Sequence, residues 1–271
     1  MFDGKVAVIT GSARGIGRAT AEILAEGGAK VIVNDLDADV ARQTAGELGG
    51  DTAVHAGNLM KDGEADKLIQ AAIDAFGRID IIVNNAGYTN DAPLHKMSDD
   101  QFAQMMDIHA AVPFRVLRAA APYLREPAKQ EREEGREVFR KIVNVSSLAG
   151  TCGNPGQANY SSAKAAITGL TKTMAKEWGQ FKINVNAVAF GYVETRLTAA
   201  KGEDTVIDID GEKVQAGVPE QMLAMMSMMI PLGRGATPRE AAGGIAFLCS
   251  PWSDYVTGQV LHVSGGVPMG M

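Results

Sequence analysis

Tyr160 and Lys164 stand at i and i+4 in the run Tyr160-Ser161-Ser162-Ala163-Lys164. On a helix that spacing sets a phenol and an ammonium on one face. A free phenol titrates near about 10, and a cation held beside it favours the phenolate and brings it toward working pH. The pair reads as a proton donor to a carbonyl being reduced. Ser147, at the end of an apolar run, is placed to hydrogen-bond the same oxygen. A second constellation opens the chain. Gly11, Gly15 and Gly17 in TGSARGIG, with Arg14 and Ile16 between them, form a turn that lets backbone approach a pyrophosphate at a helix N-terminus. The spacing is GxxxGxG rather than GxGxxG. Asp35, roughly 20 residues on, falls where a carboxylate accepts hydrogen bonds from the adenosine ribose. It also repels a 2′-phosphate. At ~5 Å and an effective dielectric of ~20 each unit of charge costs ~3 kcal/mol, a discrimination of more than ~100-fold. Arg14 offsets part of that repulsion. NAD(H) is therefore favoured, with NADP(H) as the alternative. His55, His95 and His262 are scattered without metal-ligand spacing, and no metal is expected.

These residues need a frame, and the rest of the chain supplies one. Short apolar runs predict strands at 5–10, 30–34, 52–56, 79–84, 141–146, 183–189 and 259–263. Helical spacing predicts helices at 17–26, 38–48, 62–76, 99–121, 160–180 and 238–248, with Ser98 as an N-cap. Strands that are continuous apolar runs, each followed by a helix, imply a parallel sheet covered on both faces. That is an α/β doubly wound Rossmann architecture with seven parallel strands. No Pro-, Gly- or Ser-rich linker divides residues 1–271, so a single dinucleotide-binding domain is expected.

Composition excludes other classes. With 46% hydrophobic and 21% charged residues the chain is not disordered. A formal net charge of −6 argues against nucleic acid as a partner and offers no polybasic stretch for a membrane. No run is long enough to span a bilayer and the N-terminus carries no signal-peptide pattern, so a cytoplasmic protein is expected. Cys152 and Cys249 are far apart and read as two small buried hydrophobes, and Trp178 and Trp252 as structural.

Two segments interrupt the alternation. Residues 125–141 (REPAKQEREEGREVFRK) mix both charges and read as a solvated helical insertion or a docking surface. Residues 198–230 carry TVIDIDGEKV, in which Asp210-Gly211 between two β-type runs signals a hairpin. They continue into a helix with Met222, Met225, Met226, Met228 and Met229. Such a methionine stripe makes an adaptable apolar surface, read as a substrate lid, with an oligomer contact or ordinary core as alternatives.

Taken together, TGSARGIG, Asn84-Asn85-Ala86-Gly87, the serine strand ending in Ser147, YSSAK, INVNAVAFGYVETRL and YVTGQVLHVSGG resemble the short-chain dehydrogenase/reductase family over essentially the whole chain. The resemblance implies that Ser147, Tyr160 and Lys164 are catalytic. It also implies that the cofactor rests on the glycine turn (Gly11, Arg14, Gly15, Ile16, Gly17), on Asp35, Asn58 and Leu59, and on Asn85, Ala86 and Gly87. Tyr160 and Lys164 would hold the nicotinamide ribose, and Val193 and Thr195 the nicotinamide end. A homotetramer is implied as well. Three departures stand out: His109 where the family's fourth catalytic residue is usually asparagine, Phe190-Gly191 where Pro-Gly is usual, and Asn58 where an aspartate meets the adenine. His109 is expected to preserve the proton relay to Lys164, since imidazole both donates and accepts. GNPGQANYSSAK and IPLGRGATPREAA resemble 3-oxoacyl-(acyl-carrier-protein) reductases, while His109 and VNDL resemble 3-hydroxyacyl-CoA dehydrogenases. The expected substrate is therefore a 3-oxoacyl thioester, on coenzyme A or on a carrier protein. A hydroxysteroid or other secondary alcohol, and a non-catalytic NAD-binding sensor, are the alternatives.

Overall fold

Strand β1 (Val6–Ile9) is buried along its whole length because its alternating side chains feed two separate cores. Val8 joins one cluster, Ala7 and Ile9 the other. The same division continues through β2 (Lys30–Asp35), β3 (Thr52–Ala56), β4 (Ile81–Asn84), β5 (Arg140–Ser147) and β6 (Ile183–Phe190). Beyond a hairpin of β7 (Val206–Ile209) and β8 (Glu212–Gln215) comes β9 (Val260–Val263). Seven strands form one parallel sheet in the order β3-β2-β1-β4-β5-β6-β9. The computed structural model describes residues 1–200, 202, 205–209, 211–218 and 220–267, apart from the side chains of 212 and 222–226.

Helices α1 (Gly15–Glu26) and α2 (Ala38–Leu48) cover one face of the sheet. Helices α3 (Glu64–Phe76), α4 (Asp99–Met106) and α5 (Val112–Glu133) cover the other. The short α6 (Leu148–Cys152) leads into α7 (Ala158–Trp178), which joins the α3–α5 layer. After α8 (Glu220–Met229), α9 (Pro238–Cys249) completes the layer of α1. Strand order reverses between β1 and β4, so the connections diverge there and open a crevice at the carboxyl ends of the strands. Among the described residues no helix is long and apolar enough to cross a membrane.

Several expectations are corrected. The helix expected over 99–121 is not regular: a π turn, Asp107–Ala111, separates α4 from α5, and α5 runs on to Glu133. The cause is legible at Pro113, which has no N–H to return to the carbonyl of His109 four residues earlier. The charged segment 125–141 is not one solvated helix. Its helix stops at Glu133, and its last two residues begin β5. Glu131 and Arg140 form a buried two-pronged ion pair at 2.7 and 2.9 Å. Cys249 is buried but Cys152 is exposed, and Trp252 is exposed while Trp178 is buried. The hairpin expected around Asp210-Gly211 pairs Ile209 with Glu212, and Gly211 takes a φ of +92°. Residue 210 and the side chains of Met222, Met225 and Met226 lie outside the described residues, whereas Met228 and Met229 are exposed.

Candidate active site

The candidate residues gather at the carboxyl edge of the sheet: Asp35 and Ser147 end strands, Tyr160 and Lys164 come from α7, and His109 comes from the π turn. The turn after β1 is held by backbone proximity. A Cβ on Gly11 would sit 2.8 Å from the Cα of Ala86, and one on Gly17 would run into the carbonyl of Gly11. Gly11 and Gly15 also take positive φ values of +62° and +55°. Asn85 locks the arrangement: its side chain donates to the carbonyls of Thr10 and Gly11, each at 3.0 Å. The Thr10 hydroxyl accepts from the backbone of Asn85 and Ala86. Asn85 thus shapes the turn through its side chain, and Asn84 is tied to Asn144 at 2.8 Å.

The turn ends at the N-terminus of α1, where Arg14 occupies the cap position without a side-chain cap bond and the first turn holds no acidic residue. By contrast, α2 is capped by Asp37, α4 by Ser98 and α9 by Thr237. The open N–H groups and positive end of α1, over glycines that admit no side chain, fit a pyrophosphate. Ile16 packs into the core of this layer. Asp35 closes β2 and accepts from the backbone N–H groups of Ala13 and Asp37, both at 3.3 Å. Arg14 is engaged by Asp37 at 3.2 Å, an exposed pair. Two residues that the sequence reading passed over lie here. Asp37 adds a second carboxylate, held below the usual range by the Val40 backbone N–H and by Arg14. Arg196 feels the charges of Arg14, Asp35 and Asp37, and its partial burial lowers its pKa.

Just beyond β3, Leu59 is buried, and the Asn58 side chain accepts from the Met60 backbone at 3.0 Å. At the far end Val193 is buried and bridges to Ala236. Thr195 caps a short turn, Arg196–Thr198, and its methyl lies 3.7 Å from a Cβ built on Gly15. The loop after β6 therefore reaches over the start of α1. Phe190 is buried, and Gly191 fits against Ser264: a Cβ built on Gly191 would lie 3.0 Å from the Cα of Ser264.

Ser147, Tyr160, Lys164 and His109 form the other half of the crevice. Ser147 ends β5, where its hydroxyl accepts from Ala149 N–H at 3.1 Å and meets the Tyr160 hydroxyl. Lys164 is buried, with its Nζ donating to the Val145 carbonyl at 2.7 Å and lying 5.6 Å from the centre of the Tyr160 ring. Gly150 of α6 allows this approach: a Cβ there would meet the backbone of Lys164 at 2.6 Å. The expected lowering of the tyrosine pKa is not found in the protein alone. Burial pushes Tyr160 up to about 12, against an opposing hydrogen bond from Ser147. Burial likewise pulls Lys164 down to about 7. Desolvation disfavours both charged forms, and here it outweighs the local pairing.

His109 lies on the π turn between α4 and α5, 3% exposed. Its Nε2 is 2.7 Å from the carbonyl of Tyr88, which only accepts, so Nε2 carries the proton. Nδ1 is a buried acceptor with no hydrogen-bond partner among the described residues. Desolvation, then the charge of Lys164, drives the imidazole pKa well below its usual value, so the ring is neutral. It meets the Tyr160 ring edge-on, with centres 5.0 Å apart. Gly87 backs it, because a Cβ on Gly87 would collide with the imidazole. A hydroxyl pair, a buried amine and a neutral acceptor beside an anion-binding turn can deliver a proton to a carbonyl oxygen next to a bound dinucleotide.

Comparison with known proteins bears on this arrangement. The family described as enoyl-(acyl carrier protein) reductase matches residues 11–268. The 3-oxoacyl-(acyl-carrier-protein) reductase FabG of Vibrio cholerae is 39% identical, over 99% of this chain and 99% of that one. The protein of the same name from Thermotoga maritima is 38% identical, over 98% of each. Among solved structures, the 3-ketoacyl-(acyl-carrier-protein) reductase of Brucella melitensis complexed with NADH superposes with a TM-score of 0.83 at 29% identity. The match covers 98% of this chain and 99% of that one.

Proposed function

The chain belongs to the short-chain dehydrogenase/reductase family, and we propose that it interconverts a 3-oxoacyl thioester and its 3-hydroxyacyl form with NAD(H). The observation that carries this reading is the half-buried Ser147 and Tyr160 beside the buried Lys164, in a chain matched end to end by 3-oxoacyl reductases. Bound in the crevice, the dinucleotide supplies or accepts the hydride. The protein's own residues manage the proton. Ser147 hydrogen-bonds the 3-keto oxygen, and Tyr160, which burial keeps protonated, gives that oxygen its proton. Lys164, whose pKa of about 7 lets it exchange protons near neutrality, resupplies Tyr160. His109 offers Nδ1 as an acceptor on that route.

NAD(H) over NADP(H) rests on Asp35 and Asp37 standing together where a 2′-phosphate would sit, with Arg14 already engaged by Asp37. The segment 198–230 would cover the acyl chain, with the exposed Met228 and Met229 in its helix as adaptable apolar surface. A homotetramer in the cytoplasm is the setting the family resemblance implies. The test is the rate of reduced-nicotinamide loss with acetoacetyl-CoA, comparing NADH with NADPH. Turnover with NADH well above NADPH, and its loss in Tyr160→Phe, supports the reading. Turnover of secondary alcohols but of no thioester, short or long, overturns it.

A further inference from the structure

Asp107 opens the π turn and Arg115 lies one turn beyond its end, with Nη2 of the arginine donating to Oδ1 of the aspartate at 2.7 Å. Both side chains are partly buried. The pairing has a geometric condition. In a regular α-helix each residue turns about 100°, so positions eight apart end about 80° out of line. A π turn absorbs one extra residue, leaving about seven steps, or about 20° short of two full turns. Only with the π turn do the two side chains share a face. Helical side chains lean toward the N-terminus, so Arg115 reaches back across the turn toward Asp107. The same turn carries His109, whose ring is fixed between the Tyr88 carbonyl, the Tyr160 ring and Gly87.

We propose that Asp107 and Arg115 are positioning residues: their ion pair straps the π turn shut and thereby holds the His109 ring against Tyr88 and Tyr160. Pro113 already denies the His109 carbonyl its α-helical donor. The strap selects, among the conformations left open, the one that aims His109 into the crevice. Ile108, buried beside His109, is carried by the same turn. The proposal rests on the reading that His109 serves the site, but its consequence for ring orientation is independent of turnover.

The test uses the full-length protein labelled with 15N-histidine, comparing wild type, Asp107→Asn, Arg115→Met and the exchange Asp107→Arg with Arg115→Asp. The wild type should show His109 as a single neutral tautomer with its proton on Nε2. Each single variant should lose that signature. It should also lower kcat about tenfold or more, with the KM for NADH changed less than about twofold. The exchanged pair should restore both. If Asp107→Asn unfolds, Arg115→Met and the exchange still decide. An unchanged His109 spectrum and unchanged kcat in the single variants overturn the proposal, even if the melting temperature falls. If the wild type turns over no ketone, the functional reading fails, and the histidine spectra still test the strap.

Discussion

Replacing Gly87 by alanine is a one-methyl change whose consequence can be worked through. Gly87 does not take a positive φ, so its backbone accepts any L-residue. The obstacle is a single neighbour: the nearest atoms to a Cβ built there all belong to His109, with Nδ1 at 2.6 Å. Ordinary carbon contacts begin near about 3.5 Å, and Cε1 lies nearer still than Nδ1, so the ring must retreat by more than about 1 Å. If it does, its 2.7 Å bond to Tyr88 and its edge contact with Tyr160 are lost. A misplacement of about 1 Å at a catalytic centre costs about 100-fold in rate. If it does not, the overpacking costs about 1–3 kcal/mol of stability. The assay is a double-mutant cycle of Gly87→Ala, His109→Ala and both, read by urea unfolding, with kcat measured for Gly87→Ala. In the His109→Ala background the methyl enters vacated space, so its penalty should fall to less than about 0.5 kcal/mol. An equal penalty in both backgrounds would refute the claim that His109 alone imposes the glycine.

Three further outcomes are expected. Asp35→Ser should raise kcat/KM for NADPH relative to NADH by about 100-fold, since one unit of repulsion at ~5 Å is removed; an unchanged ratio would put the discrimination elsewhere. The depressed pKa of Lys164, about 7 in the fold against 10.5 unfolded, means that the unfolded chain binds more protons between those values. Stability from this group should therefore rise with pH from about 7 to about 10, and denaturant titrations at pH 7, 8 and 9 should show the rise in wild type but not in Lys164→Met. Glu131→Gln leaves Arg140 buried without its carboxylate and should destabilise by about 3–5 kcal/mol, read as a lowered melting temperature with kcat per folded molecule preserved.

The parts of this molecule that sequence conveys are those where one local property decides. The strands are legible because both of their faces are buried, so β1 reads as an uninterrupted apolar run, and β4 and β6 as apolar runs broken only by asparagines. The glycine turn is legible because Gly11 and Gly17 face backbone that excludes a side chain. The π turn is hidden inside a run that keeps helical periodicity on both sides, and Pro113 is its one local trace. The titration of Tyr160 depends on desolvation, which is set by packing rather than by the neighbouring cation. Glu131 and Arg140 sit at a helix end and a strand start, so their partnership exists only once the sheet and α5 have met. Cys152 and Trp252 are apolar types left exposed, and nothing in their local sequence marks them.

Two isolated bridges frame the segment that follows β6. Val193 pairs with Ala236, and Ala200 pairs with Val218. The chain between them leaves the sheet and returns to nearly the same place, like a drawer on two runners. The entropy of bringing its ends together is met at the rim, and added length inside raises that cost only logarithmically, by about 0.6 kcal/mol per doubling. The hairpin and the helix beyond it can therefore be lengthened, shortened or exchanged over generations while the seven strands and the proton-handling residues keep their places. Selection for new acyl groups would act on this segment, within the limit that Val214, Ile207 and Ile209 keep the hairpin seated on the core.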